Sequence, residues 1–432
     1  MEFTEILILV ISFVILLSLG VPISFSIGIS SLLTMLMSIN SLPAVTTISQ
    51  RMATGLDSFA LLAIPFFILA GQIMNSGGIA RRLIDFAKVL VGKLPGGLAF
   101  VNIMAAMLFG AISGSAAAAA SAIGGFMHPV MKKEGYNEAF SAAVNITSST
   151  TGLIIPPSNI LIVYSLASGG VSIAALFIAG YIPGILFGLS LMIVAGIYAH
   201  KHNYKVKFDI TLSEAFKKFL DAIPSLLLVI IVIGGIVAGY FTATEASAIA
   251  VLYALILAVL FYKEVKLKDL PGILLNSATT TAIVMLLIGT SMAMSWVMAY
   301  ENIPQNVAQA LITLSENKII ILIIINLILL FVGTFMDMTP AVLIFTPIFL
   351  PVAVRLGIDP IHFGIVMVMN LSIGLCTPPV GSILFVGCSV ANLPIMKVVK
   401  PLVPFFIAMI ITLLVVTYLP ELSLWVPGLF GY

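Results

Sequence analysis

Two apolar stretches of this chain break at the same kind of place. Gly152-Leu-Ile-Ile-Pro156-Pro157-Ser158-Asn159 interrupts one, and Gly374-Leu-Cys-Thr377-Pro378-Pro379-Val-Gly381 the other. The prolines lie 222 positions apart (378 − 156), and so do the glycines (374 − 152). Each double proline sits inside a run apolar enough to cross a membrane. Proline lacks a backbone donor and clashes with the preceding turn, so a helix cannot run through it intact. In lipid the freed backbone groups must be met by protein, water or an ion. Matched broken helices in two halves of a membrane protein mark a transporter's binding site.

The rest of the chain agrees with a membrane setting. Of its 432 residues, 61% are hydrophobic and 8% charged, whereas soluble domains carry about 25% charged residues. The apolar segments run to about 18–28 residues, the length of a bilayer-spanning helix. Residues 3–19 lack a basic start and a small-residue cleavage site, so they are expected to remain as a helix. Cys376 and Cys388 are the only cysteines and lie in membrane segments, which points to neither a disulfide framework nor a cysteine metal site. A net charge of +2 gives no indication of nucleic-acid binding.

Spans are expected at 3–20, 22–39 and 59–77, then an amphipathic connector at 79–92. An apolar stretch 96–131, interrupted at Ser113-Gly114-Ser115, precedes the broken helix 137–167 and a span at 172–199. A short surface helix is expected within 200–221, then spans 222–240, 246–262 and 272–299. The stretch 318–354, interrupted from Gly333 to Asp337, precedes broken helix 361–391 and a last span, 401–419. The stretches 96–131 and 318–354 are each long enough for two helices of about 18 residues, as two crossings or as a re-entrant hairpin, and the charge distribution is compatible with hairpins. The divisions that follow are scaffold helices 1–58, repeat one 59–199, surface and scaffold helices 200–271, repeat two 272–419 and a tail 420–432.

Threading these segments puts 16 of the 19 Lys and Arg residues on one side, leaving Arg51, Lys318 and Arg355 on the other. The positive-inside rule makes the basic side cytoplasmic and sends both termini outward. Other pairs match at a shift of 222: Pro129 with Pro351, Gly135 with Gly357, Phe109 with Phe331 and Ser115 with Asp337. Five net crossings separate the two copies, and an odd number inverts the second. Inverted repeats bring hairpins and broken helices to a midplane site from opposite faces.

The motifs Gly-Ala-Ile-Ser113-Gly114-Ser115-Ala116, Gly152 to Ser158, Gly333-Thr334-Phe-Met-Asp337 and Gly374 to Gly381 resemble the large membrane subunit of tripartite ATP-independent periplasmic (TRAP) transporters, over essentially the whole chain. The resemblance implies an all-α polytopic integral membrane protein of the bacterial inner membrane with an elevator-type scaffold and transport domain. It implies sodium-driven import of an organic acid, sialic acid favoured and C4-dicarboxylate next. The partners it implies are a separate small four-helix membrane subunit and a periplasmic substrate-binding protein. Both termini would be periplasmic. A stand-alone sodium–carboxylate symporter of related architecture is the competing transport reading. An intramembrane enzyme is disfavoured, because no nucleophile–base pair or metal cluster falls in the core.

Sodium is a hard cation that takes oxygens, which helix breaks and hydroxyls supply. By resemblance, two ions are expected as coupling ions. One would be held by Ser113, Gly114 and Ser115 facing Thr150, Thr151, Gly152 and Pro156. The second would be held by Gly333, Thr334 and Asp337 facing Gly374, Thr377 and Pro378. Ser115, Ser158, Asn159 and Asp337 are the expected substrate contacts. Asp337 is the one charged residue deep in an apolar segment, costly in a membrane unless it has a function. The alanine run 116–120 reads as close helix packing. His128, His200, His202 and His362 fall near membrane boundaries.

Overall fold

The computed structural model describes residues 2–94, 96–204, 211–315 and 317–432, and all regular structure among them is helical. Among the described residues, eight helices are long and apolar enough to cross a membrane, nine if the pair Glu138–Ile154 and Asn159–Ala167, bent by 50°, is one span.

The chain begins with α1 (Glu2–Ser18), α2 (Ile23–Ser38) and α3 (Ser41–Leu56). No span was expected between residues 39 and 59, because that stretch is rich in Ser, Thr, Gln and Arg; as α3 it buries only Ala44 and Ile48. A 3₁₀ turn (Phe59–Leu62) leads into α4 (Ala63–Ser76), and α5 (Ile79–Val91) forms the amphipathic connector. Next come α6 (Gly97–Ser113) and α7 (Ala116–Lys133), folded back at Ser113–Ser115. The first broken helix is α8 (Glu138–Ser149), the short α9 (Thr151–Ile154) and α10 (Asn159–Ala167). The stretch after it divides at Gly180 into α11 (Ile173–Ala179) and α12 (Tyr181–Lys201).

The expected surface helix within 200–221 and the span 222–240 are not separate. They form one helix, α13 (Leu212–Val237), with Pro224 inside it. Thr211 and Glu214 make a reciprocal capping box that starts the helix. Pro224 removes one donor, but no glycine or second proline stops the helix there. Residues 205–210, with Lys205 and Lys207 of the basic side, lie outside the described residues.

The chain continues with α14 (Ala243–Leu255), ending in a π-helical turn (Ile256–Phe261), a 3₁₀ turn (Leu267–Asp269) and the long α15 (Leu270–Tyr300). Then comes α16 (Ile303–Leu314), too short and polar to have been read as an element. The second hairpin is α17 (Lys318–Phe335) with α18 (Met338–Arg355), and the second broken helix is α19 (Pro360–Gly374) with α20 (Ser382–Ala391). Last come α21 (Ile395–Tyr418) and α22 (Glu421–Leu429), the latter where a tail was expected.

The halves interlock. Helix α7 packs on α20, and α10 packs on α18. Gly387 on α20 lies so close to Ile146 on α8 that a Cβ there would fall 2.2 Å from Ile146 Cγ1. Of the outer helices, α4 packs on both α14 and α15, and α5 runs from α4 onto α6 and α13.

Candidate functional site

Helix α6 ends at Ser113, and Gly114 turns the chain in the left-handed region (φ +60°), its N–H donating to Gly110 O at 2.8 Å. Ser115 is the N-cap of α7, its hydroxyl accepting from Ala118 N–H at 3.3 Å. The tip presses on the broken helix. A Cβ on Gly114 would meet Pro157 O at 3.2 Å and Asn159 N at 3.4 Å. One turn back, α6 and α9 touch backbone to backbone, since a Cβ on Gly110 would lie 2.3 Å from Gly152 Cα. The second half repeats the crossing: a Cβ on Gly374 would lie 2.5 Å from Gly333 Cα, and Gly381 N–H donates to Thr334 O at 3.0 Å.

The prolines act as their chemistry requires. Pro157 and Pro379 stand four residues after Leu153 and Leu375 and offer these carbonyls no donor. Leu153 O instead accepts the Ser158 hydroxyl at 2.7 Å, and Leu375 O accepts Ile383 N–H at 3.1 Å. The Pro156–Pro157 and Pro378–Pro379 bonds are both cis. Buried amides tie each broken helix to its hairpin. Asn102 Nδ2 donates to Ser148 Oγ at 3.1 Å, and Asn370 Nδ2 to Asn326 Oδ1 at 2.8 Å, with Ser148 and Asn370 again 222 apart (370 − 148).

The two tips and both breaks open on one cavity of about 390 Å³. The first residues of four helices line it: Ala116 of α7, Asn159 of α10, Met338 of α18 and Ser382 of α20. Each helix start carries a partial positive charge and free N–H groups, so the convergence favours an anion. Ser113, Gly114, Ser115, Asn159 and Asp337 also line the cavity, and among the described residues Asp337 is the only charged one that does. Asp337 holds the N-cap position of α18 without closing a cap bond, and its Oδ1 accepts from the Ser382 hydroxyl at 3.5 Å.

Ser158 does not reach the cavity, being fully buried on Leu153 O. Thr150, Thr151, Gly152 and Pro156, and likewise Gly333, Thr334, Gly374, Thr377 and Pro378, sit behind the cavity wall at the two crossings. The threonines all donate within their own helix turns, three of them to the carbonyl three residues back and Thr377 to the one four back. Thr150 Oγ1 donates to Thr147 O (2.7 Å), Thr151 Oγ1 to Ser148 O (2.6 Å), Thr334 Oγ1 to Phe331 O (2.7 Å) and Thr377 Oγ1 to Ile373 O (2.8 Å). A hydroxyl whose proton is committed to its own helix turns its lone pairs outward. These oxygens fit a hard cation and need no formal charge.

Five polar positions on the cavity wall were missed in the sequence: Gln72 and Asn75 on α4, Thr280 on α15, Thr339 on α18 and Ser382 on α20. Gln72 and Asn75 carried a usable signal, two amides three apart on one face of an apolar span. The boundary histidines are bound into the packing. His128 Nδ1 meets Ser141 Oγ at 3.1 Å, and His362 Nδ1 meets Ser423 Oγ at 2.7 Å. His200 and His202 end α12 away from the cavity.

Residues 10–422 match the family model of the tripartite ATP-independent periplasmic transporter, DctM component. The chain is 60% identical over 420 residues to the protein YgiK, described as uncharacterized, of Salmonella typhimurium, covering 97% of this chain and 96% of that one. It is 39% identical to the sialic acid TRAP transporter large permease protein SiaM of Vibrio cholerae, covering 96% and 97%. Other relatives at 38–40% identity are named as C4-dicarboxylate and 2,3-diketo-L-gulonate permeases. Among solved structures, the YdaH transporter of Alcanivorax borkumensis superposes with a TM-score of 0.63 at 14% identity, covering 90% of this chain and 89% of that one, a likeness of fold.

Proposed function

The chain belongs to the family of DctM components of tripartite ATP-independent periplasmic transporters, and on that premise we propose that it is the large subunit of a sodium-driven importer whose cargo is an organic acid, sialic acid favoured and C4-dicarboxylate next. It is a multi-pass permease subunit of an organic-acid transporter, and its relatives are transporters, not enzymes. In this reading it lies in the bacterial inner membrane with both termini in the periplasm. It receives cargo from a periplasmic binding protein and works beside a small four-helix membrane subunit.

The observation that carries the cargo assignment is the cavity. Four helix starts meet there, and no Lys or Arg among the described residues lines it. A carboxylate is therefore met by backbone dipoles with Ser115 and Asn159. Asp337 and the amides of Gln72 and Asn75 suit hydroxyl or amine donors of the same molecule. A single carboxylate on a polyhydroxylated body uses both sets. A small dianion uses only one and faces the Asp337 charge.

Sodium fits the two crossings by the chemistry of their oxygens. Thr150 and Thr151 with the Ser113–Ser115 tip would hold one ion, and Thr334 and Thr377 with the Gly333–Asp337 tip the other. Sodium would supply positive charge beside the cargo carboxylate and couple its entry to the ion gradient. The chain's own part is to hold the two tips on the broken helices, through Gly110–Gly152 and Gly333–Gly374, so that cargo and ions are enclosed together. The hairpins and broken helices, α6–α10 and α17–α20, then move as a body against α4, α14 and α15.

The test is uptake into proteoliposomes holding both membrane subunits, with cargo-loaded binding protein outside and an imposed sodium gradient. Sialic acid uptake that needs inward sodium supports the reading. Equal uptake without sodium, or transport of C4-dicarboxylates alone, overturns that part of it. Thermal-shift screening of the binding protein against sialic acids and dicarboxylates gives the cargo independently.

A further inference from the structure

We infer that Arg82 is a positioning residue for transport: it latches the hinge between α4 and α5 onto the end of α14, and so sets the balance between the two end states of the moving body. This rests on the reading that α6–α10 move relative to α4 and α14.

The hinge is Gly77-Gly78. Helix α4 ends at Ser76, Gly78 adopts the left-handed region (φ +70°), and α5 starts at Ile79. On one side of it α4 packs on α14 and α15, and on the other α5 packs on α6. Any displacement of the first hairpin relative to α4 therefore passes through these two glycines or the segment after α5.

Arg82, one turn into α5, closes that hinge at several points. Its Nη1 donates to Gly78 O at 3.0 Å and to Gly77 O at 3.4 Å, carbonyls that the end of α4 leaves without helical partners. Its Nη2 lies 3.5 Å from Glu264 Oε1, and its Cζ stands 3.5 Å from the centre of the Tyr262 ring. Tyr262 and Glu264 directly follow the π-helical turn that ends α14, and such turns often mark functional sites. Tyr262 is tied onward to α13, its hydroxyl 3.1 Å from Ser225 Oγ. The fit leaves no room for side chains on the hinge. A Cβ on Gly77 would stand 2.8 Å from Ala258 Cβ, and one on Gly78 would stand 2.9 Å from Arg82 Nη1.

The second half is built differently. Its hinge residue Asn302, between α15 and α16, is also left-handed (φ +54°), but Glu301 beside it accepts a hydroxyl hydrogen bond from Ser38. Among the described residues, the cationic grip belongs to the first hinge. Guanidinium serves there because its planar fork reaches carbonyls, a carboxylate and a ring face at once, which an ammonium cannot do.

The test uses the assembled transporter in oriented membrane vesicles with a reporter cysteine, Ala117→Cys, on the cavity wall. The natural Cys376 and Cys388 are buried. A membrane-impermeant maleimide is applied from either side, and the ratio of the two labelling rates is read. Arg82→Gln, Glu264→Gln and Tyr262→Leu should all move that ratio in the same direction, by about 3- to 20-fold, with Arg82→Lys moving it less. Should Arg82→Gln fail to accumulate, Glu264→Gln, at the open edge of the pair, carries the test alone. If the reporter labels from both sides in the unaltered chain and the variants leave the ratio unchanged, the latch is wrong while the moving-body reading stands. If the unaltered chain labels from one side only, whatever the sodium gradient and cargo, both fall.

Discussion

Ser115 and Asp337 hold the same place in the two halves, 222 positions apart (337 − 115), each the last residue before the second helix of its hairpin. The serine spends its side chain on that helix, accepting from Ala118 N–H, while the aspartate makes no cap bond and meets Ser382 at the cavity. Identical positions in a repeat thus carry different work: one closes a helix, and the other offers the cavity its single charge.

Asp337→Ala should leave the fold intact, because no cap bond is lost, and should weaken transport. A hydrogen bond to a charged group contributes about 1.5–3 kcal/mol, so uptake at low cargo concentration is expected to fall about 10- to 100-fold. Initial uptake rates in proteoliposomes check this, alongside detergent-solubilised yield. Unchanged uptake would remove Asp337 from the site.

Ser115→Ala should show both effects at once. Loss of an N-cap costs about 0.5–2 kcal/mol, read as a lower unfolding temperature. Sodium-dependent uptake should fall as well, since the hydroxyl stands at the tip that faces the first proposed ion. Ser115→Thr keeps the oxygen and should recover most of both losses. Failure of threonine to recover uptake would separate the tip's shape from its oxygen.

Gly110→Ala and Gly374→Ala should be destabilising in their own right. Their Cβ atoms would fall 2.3 Å and 2.5 Å from the backbone of Gly152 and Gly333, so the helices must part. Overpacking of this kind typically costs about 1–3 kcal/mol. Gly125→Ala, with nothing within 4 Å of the new carbon, is the control. Melting temperatures in detergent should fall for the first two and hold for the third.

Gln72→Ala and Asn75→Ala should raise the cargo concentration giving half-maximal uptake, by about 3- to 10-fold each if one neutral hydrogen bond is lost. A C4-dicarboxylate, were it carried, should be indifferent to both. Equal effects on both cargoes would argue against a hydroxyl-reading role for α4.

Much of the site was legible because proline and glycine signal through the backbone. The double prolines, the Ser113–Ser115 turn and the Gly333–Asp337 turn each announce a break wherever the helix lies. Lateral placement left no such mark. The apolar segments are hydrophobic on most faces, so their periodicity does not say which neighbour each face meets. Hence the wall residues Gln72, Asn75, Thr280, Thr339 and Ser382 were missed. Ser158 and Asn159 look equivalent in sequence, but at a helix start successive residues point about 100° apart, and only Asn159 faces the cavity. Helices α3 and α16 escaped notice because composition read alone expects a span only from an apolar run. Thr211 and Glu214 start α13, yet the change from polar residues up to 221 to apolar ones from 222 reads as a boundary between two elements.

The interlocking of α7 with α20 and of α10 with α18 also bears on how the molecule comes into being. A ribosome delivers the first hairpin and the first broken helix long before residues 338–391 exist. Until then the faces of α7 and α10 meant for the second half must rest on lipid or on an insertion factor. The first half is therefore an unfinished object in the membrane, and the cavity comes into existence only when α18 and α20 slide in beside it. A chain cut before Met338 would leave those faces uncovered, and the quality-control proteases of the membrane, not the transport assay, would be the first to register the loss.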